Sequence, residues 1–289
     1  MGCVRVRDAA LPIAALTAYV RSSSLAIGSR LAQPIRTVDE LTPKVSVVTA
    51  AYQSLETLPI SAGSVRRQSG VDVEHIIVDG GSDDGTVEWL RSLDDGTIWV
   101  SEPDKGIADA MNKGARLASG EWLLFLQADD RLYSPCSLKT ALDLWDGKSE
   151  IIASPIQFES GRILRPRVEK AYYRYFKQGV LHQGALISRR AFIRVGEYDT
   201  RFRVTMDFDW FLRARWRDME IQVLDEPLSV MGEDGISSRR EWNLLRERLE
   251  EEQRSRLLRA PNFLWTVVYK AYGLVYRSFR YVMSQLDSR

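Results

Sequence analysis

From Lys44 onward the chain alternates two hydrophobic rhythms. Short continuous apolar, β-branched runs give way to stretches whose apolar positions recur every three or four residues. The runs predict strands at residues 45–51, 75–78, 98–101 and 122–126. The periodic stretches predict helices at 55–68, 86–93 and 107–118, with Pro59 tolerable only near the first turn of its helix. Strands alternating with helices are βαβ units, so the fold class is α/β, with a Rossmann-like, mostly parallel sheet flanked by helices. Residues 122–126 are apolar throughout, as a strand covered on both faces must be, and are expected at the sheet centre. Further on, a helix is expected at 135–145 and strands at 151–155, 221–224 and 228–231.

Two segments break the rhythm. Residues 1–43 hold Pro12, Pro34 and Pro43, and their apolar run at 9–20 is too short to span a bilayer. Arg5 and Arg7 precede that run, but Asp8 adjoins it and no cleavage site follows, so a poorly ordered tail or a weak surface helix is expected. At the other end, 239–259 reads as a highly charged helix with a solvated face. In 263–284 the polar residues fall at Thr266, Lys270, Gly273, Arg277, Arg280 and Ser284, a narrow stripe on an otherwise apolar and aromatic helix. Such a basic amphipathic helix suits the cytoplasmic membrane interface. Its alternative is packing on the preceding domain or on the second copy of a homodimer.

Acidic residues gather where the strands end. Asp79 closes the second strand, and the segment 102–114 opens a helix with Asp104, Asp109 and Asn112. Asp129 and Asp130 follow the central strand. Each cluster alone reads as turn or cap chemistry, and Asp109 with Lys113 as an i,i+4 pair. Three of them at successive strand ends of a parallel sheet converge on one rim, where such sheets bind ligands. Composition narrows the ligand. Two histidines (His75 and His182) and two cysteines (Cys3 and Cys136) exclude a histidine-rich metal centre, a cysteine-rich zinc site and a disulfide framework. A net charge of +1 argues against nucleic acid as a partner. Carboxylates without histidines suit Mg²⁺ or Mn²⁺ shared with a diphosphate, in a Lewis-acid role. No G-x-x-x-x-G-K-[ST] occurs, and Gly80, Gly81 and Gly85 lack the G-x-G-x-x-G spacing.

Four motifs in order, SVVTAAYQS, IIVDGGSDDGT, SEPDKGIADAMNKG and FLQADD, resemble the family 2 glycosyltransferases of GT-A fold over residues 44–238. The resemblance implies a GT-A domain with a nucleotide-sugar-binding half (44–133) and an acceptor half (134–238), followed by a C-terminal helical extension (239–289). It implies inverting transfer of a sugar from a nucleotide-diphosphate donor, with UDP the family preference, to an acceptor hydroxyl. Ala50 and Tyr52 match positions that touch the nucleotide, Asp79 matches the carboxylate that meets the base, and Asp104 and Asp109 fall in the segment lining the donor pocket. Asp129 and Asp130 match the metal-binding D-x-D motif, with Asp130 the expected ligand. Gln127 departs from that motif, standing where Asp or Asn is usual.

In the second half, 162–167 and 172–176 form a basic, aromatic patch suited to a saccharide or lipid-linked acceptor, or else a partly exposed aromatic face. His182 and Gln183 resemble the family segment beside the active site. A phosphate or substrate contact and a satisfied structural histidine are both open there. The segment 204–213 matches the part that carries the base. Asp207 and Asp209 are two residues apart, about 200° around a helix, so both cannot face one donor. Asp209 has Arg213 four residues on, a structural i,i+4 pair, and the resemblance implies Asp207, at the helix start, as the base. The expectation is a membrane-associated enzyme on the cytoplasmic face, in polysaccharide or glycolipid assembly. The alternatives are a nucleotide-sugar-binding protein without catalysis, raised by Gln127, and a sugar nucleotidyltransferase.

Overall fold

The structure, a computed structural model, describes residues 3–5, 44–168, 179–232 and 242–287. Its main sheet starts from β2 (Val45–Ala51), every residue of which is buried. Parallel neighbours β3 (Val73–Asp79) and β5 (Trp122–Gln127) flank it, and β4 (Ile98–Ser101) extends the β3 side. Beyond β5 the sheet continues through β10 (Ala185–Ser188), β7 (Ile151–Ala153) and β11 (Ile221–Val223). Strand β10 is antiparallel to both neighbours, whereas β7 and β11 are parallel. On the far edge β1 (Cys3–Arg5) adds antiparallel to β4, so this piece of the N-terminal extension is strand rather than tail or helix. The other residues of that extension lie outside the described ones.

Side chains of successive residues leave opposite faces of the sheet, and the core divides accordingly. Val48, Ala50, Leu123 and Phe125 join Met111, Phe192 and Trp210 on one face. Val45, Val47, Leu124 and Leu126 join Val65, Leu138 and Leu186 on the other. The covering helices of the first half are α1 (Leu58–Arg66), α2 (Thr86–Arg91) and α3 (Ile107–Leu117), each within the expected stretch. Helix α4 (Ser137–Asp143) follows, then α5 (Arg189–Val195) and α6 (Met206–Arg215).

Of a second sheet the hydrophobic pattern shows only the strand at 228–231, because the other strands are too short to show a period. It orders β6 (Arg131–Leu132), β12 (Ser229–Met231), β8 (Ile156–Phe158) and β9 (Ile163–Leu164). The expected strand at 151–155 stops at Ala153, and the chain crosses through Pro155 into β8. The aromatic patch at 172–176 lies outside the described residues.

The charged helix is present as α7 (Trp242–Arg259), with Glu250 and Arg254 exposed but part of its polar face buried. Glu252, Gln253, Ser255 and Arg256 are buried. Its ionic groups meet complementary groups on α6 and on the loop before it, which a sequence read alone cannot distinguish from solvation. Helix α8 (Phe263–Asp287) lies on α7. Trp265 packs edge-on against Trp216 at 5.0 Å, Tyr269 is fully buried, and Gln253 Nε2 donates to the Tyr269 carbonyl at 2.7 Å. Gly273, placed in the polar stripe, is instead buried against the Gln253 side chain. Facing away are Phe263, Leu264, Val267, Val268, Leu274 and Val275, with Lys270 exposed beside them. Among the described residues no helix is long and apolar enough to cross a membrane.

Candidate functional site

The register of the parallel strands builds the rim. Ala51 pairs with Asp79, Asp79 with Ser101, and Ala50 with Gln127, so the ends of four strands reach one edge together. Asp79 is fully buried there. Its Oδ2 accepts from Gly81 N at 3.0 Å, Ser82 N at 2.9 Å and Ser101 Oγ at 2.7 Å, and its Oδ1 accepts from Ser82 Oγ. The carboxylate therefore shapes the turn that follows it, the turn chemistry that the cluster alone suggested. Within that turn a Cβ on Gly80 would come within 2.7 Å of Asp104 Oδ2 and 3.2 Å of the Tyr52 ring. Only glycine lets Tyr52, Asp104 and the backbone close up in this way. Tyr52 stays 63% exposed, its ring forming a wall, while Ala50 is buried beneath it.

The loops after β2 and β3 are laced to each other. Gln53, at φ +50°, donates its N–H to Ser82 Oγ at 2.7 Å and its side-chain amide to Asp83 at 2.7 Å. Asp84 Oδ1 accepts from Thr86 N at 3.0 Å, at the start of α2. Asp104 accepts from Gly106 N at 2.7 Å. Burial raises its carboxyl above the ordinary range, and Asp109 and Asp79 push the same way against the Gly106 bond and Lys113. Asp109 accepts from Lys105 N at 3.1 Å and lies 3.6 Å from Lys113 Nζ. Asn112 exchanges two 2.9 Å bonds with the Tyr198 backbone and ties α3 to the second half.

The other wall begins where β5 ends. Asp130 is buried; Oδ2 accepts from Gln127 N at 3.1 Å and Oδ1 from Gly232 N at 3.3 Å. Gly232 arrives on the end of β12, and a Cβ there would sit 3.0 Å from Asp129 Oδ2. Burial, with Asp129 adjacent, pushes the Asp130 carboxyl up to about 7. Because β10 runs antiparallel to β5, it begins near the rim, and the single turn His182–Gly184 before it lies against the end of β5. Gly184 is required, since a Cβ would come within 2.5 Å of the Ser154 carbonyl. His182 Nδ1 then lies 3.3 Å from Asp207 Oδ2, and its Nε2 lies 3.5 Å from the Gln127 amide nitrogen. Gln183 is buried beside Asp130, and its Oε1 has no partner.

Asp207 and Asp209 do part company around α6. Asp207, buried, takes the Phe208 N–H at 2.8 Å and faces His182. Asp209, wholly enclosed, takes Arg213 Nε at 2.8 Å, Ser255 Oγ at 2.8 Å and Arg259 Nε at 2.9 Å. Sequence reasoning did not find the Gly232 N–H at Asp130 or the contact of Gln127 with His182, for no local pattern carries either. Among the described residues no three His, Cys, Asp or Glu side chains are grouped to hold a metal ion. Asp129 and Asp130, with the orphaned Gln183 Oε1, nevertheless fit a Mg²⁺ or Mn²⁺ ion that takes its other ligands from substrate phosphates. The arrangement thus has oxygen donors, the Asp207 carboxylate and the exposed Tyr52 ring along one edge.

The model of the family described as Glycosyl transferase family 2 matches residues 46–217. A PGL/p-HBAD biosynthesis glycosyltransferase of Mycobacterium bovis is 32% identical over 178 residues, covering 60% of this chain and 70% of that protein. Among solved structures, Staphylococcus aureus TarS 1-349 in complex with UDP-GlcNAc superposes with a TM-score of 0.61 at 16% identity, over 80% of this chain and 71% of that one. The match covers 43% of a longer TarS chain. The mannosyltransferase PcManGT of Pyrobaculum calidifontis, in complex with GDP-Man and Mn²⁺, gives 0.59 at 18% identity, over 80% and 70% of the two chains. At these identities the solved structures share the fold.

Proposed function

This chain belongs to glycosyl transferase family 2, and we propose that it moves a sugar from a nucleotide-diphosphate donor, a UDP-sugar, to an acceptor hydroxyl with inversion. The observation that carries this reading is the placement of Asp207. Its carboxylate lies on the rim that holds Asp129 and Asp130, in contact with His182 at 3.3 Å. The donor is read with its base between Tyr52 and the turn held by Asp79, whose Oδ1 takes a single bond from the protein. Asp104 and Asp109 line the ribose and sugar side of that pocket, over Ala50. His182 and Gln183 are assigned to the diphosphate side, next to Asp130.

In the transfer, Asp207 takes the proton of the acceptor hydroxyl as its oxygen attacks the anomeric carbon. The bond from that carbon to the diphosphate oxygen breaks, and its electron pair leaves with the diphosphate. A single displacement of this kind inverts the centre. A divalent ion at Asp130 and Asp129, when bound, neutralises the charge that develops on the leaving diphosphate. Asp207→Asn tests the assignment: turnover should vanish while the nucleotide-sugar still binds, and unchanged turnover would remove Asp207 as the base. Hydrolysis of a nucleotide-sugar that needs Mn²⁺ and is lost in Asp130→Ala would exclude a protein that only binds its donor.

The acceptor is assigned to polysaccharide or glycolipid assembly, in keeping with the name of the mycobacterial relative. The protein is placed peripherally on the cytoplasmic face of the membrane. The outward apolar stripe of α8, with Lys270 beside it, supports that placement.

A further inference from the structure

The helix that carries Asp207 starts without a cap of its own. Thr205 stands at the N-cap position of α6 and makes no side-chain cap bond. Backbone N–H groups at a helix start need acceptors. Here an acceptor from another element holds the N–H of the N-cap residue and of the two residues before it. Glu251 of α7 accepts from Arg203 N at 2.8 Å on Oε1, and on Oε2 from Val204 N and Thr205 N at 2.9 Å each and Thr205 Oγ1 at 3.1 Å. One turn earlier on α7, Glu247 takes the Arg203 side chain through Nε at 2.8 Å and Nη2 at 2.6 Å. A carboxylate thus grips three successive N–H groups at the positive end of α6, where charge and hydrogen bonding favour it together.

Asp207 lies in the next turn, its Oδ1 already fixed by the Phe208 N–H. The segment 203–205 therefore sets where that carboxylate stands along the rim. The docking of α7 on α6 does not depend on this grip alone. Asp209 bonds Ser255 and Arg259, and Arg256 lies over the Phe208 ring at 4.8 Å. The family match ends at residue 217, so α7 lies outside the part of the chain that it covers. We propose that Glu251 is a positioning residue for the reaction, holding residues 203–205 at the entry to α6 so that Asp207 meets the acceptor hydroxyl. The proposal rests on the reading of Asp207 as the base.

Two measurements on the full chain test it. The first needs no ligand: amide hydrogen exchange at 203–208 in wild type and in Glu251→Ala. Exchange there should quicken while that of β2 and β5 stays as in wild type; unchanged exchange at 203–208 overturns the proposal. The second is steady-state kinetics with Mn²⁺ and UDP-GlcNAc or GDP-mannose, whichever the wild type turns over. Displacing a reacting group by about 1 Å lowers turnover on the order of 100-fold, so Glu251→Ala should lose kcat by about 10- to 100-fold with KM for the donor kept. Glu251→Gln, which retains one acceptor oxygen, should recover part of that loss. Wild-type kcat in Glu251→Ala overturns the proposal, as does a loss that merely tracks the unfolded fraction and is equal in the Gln variant. Asp207→Asn assayed alongside separates the two readings. If it turns over normally, the base assignment fails and the positioning role with it; if it is inactive while Glu251→Ala is normal, only the positioning role fails.

Discussion

At the residue scale, Gln127 matters for what it touches. Gln stands where Asp or Asn is usual, and its amide nitrogen lies 3.5 Å from His182, whose other nitrogen meets Asp207. The metal-side motif and the base are thereby joined through one imidazole. Replacing Gln127 with Ala should lower kcat and leave the dependence on Mn²⁺ concentration unchanged, whereas Asp130→Asn should abolish that dependence; titrating Mn²⁺ against turnover distinguishes them. For Asp207→Asn the loss in kcat should be on the order of 10²- to 10⁴-fold, the usual contribution of a general base. Asp79, Asp104, Asp129 and Asp130 were legible because acidic residues at parallel strand ends must meet on one edge, and Asp207 and His182 only through the family resemblance. Their bonding was not. The Ser101 hydroxyl at Asp79, and the Gly232 N–H at Asp130, join residues whose proximity only the folded chain creates.

At the scale of elements, the strands buried on both faces announced themselves, and the two-residue strands and the antiparallel β10 did not. Helix α7 shows the limit of charge pattern as a guide, since the Glu and Arg side chains that fix α6 look the same on paper as those in water. Two elements carry predictions. Gly114 of α3 packs on Val48 of β2 with no room for a Cβ, so Gly114→Ala should destabilise by about 1–3 kcal/mol, the usual cost of overpacking, read from the urea midpoint. His75 on β3 lies against Thr49 Oγ1 at 2.9 Å, and burial lowers its pKa to about 4, with Asp95 opposing and Arg66 adding to the effect. Between the unfolded value of 6.5 and the folded value of about 4, the unfolded chain binds a proton that the folded chain does not. The stabilising contribution is therefore complete above pH 6.5 and declines as pH falls toward 4. From pH 7 to pH 5 the decline should be about 2 kcal/mol. His75→Gln, which keeps an acceptor for Thr49, should lose less over that range in paired urea titrations.

For the whole molecule, the two ends of the described chain behave differently. The sheet and its rim are closed by packing, while α8 turns its apolar side outward. Leu274 is 69% exposed and Val275 72%. Replacing Leu264, Val267, Leu274 and Val275 together with Ser should leave the thermal midpoint nearly unchanged and reduce co-sedimentation with anionic vesicles several-fold; undiminished sedimentation would count against the interfacial reading. The seam between α7 and α8 has a consequence for how such a protein is redirected. Arg259 is the last residue of α7 and still bonds Asp209 and Asp199. After Ala260 and Pro261, Asn262 Oδ1 accepts from Trp265 N at 3.1 Å and begins the next helix afresh. The contacts of α7 with Asp209 and with residues 203–205 end before the proline, and the outward apolar stripe of α8 begins after it. A different terminal helix could be grafted there and send the same chemistry to another surface, provided it keeps Trp265, Tyr269 and Gly273 as the plug that fits α7.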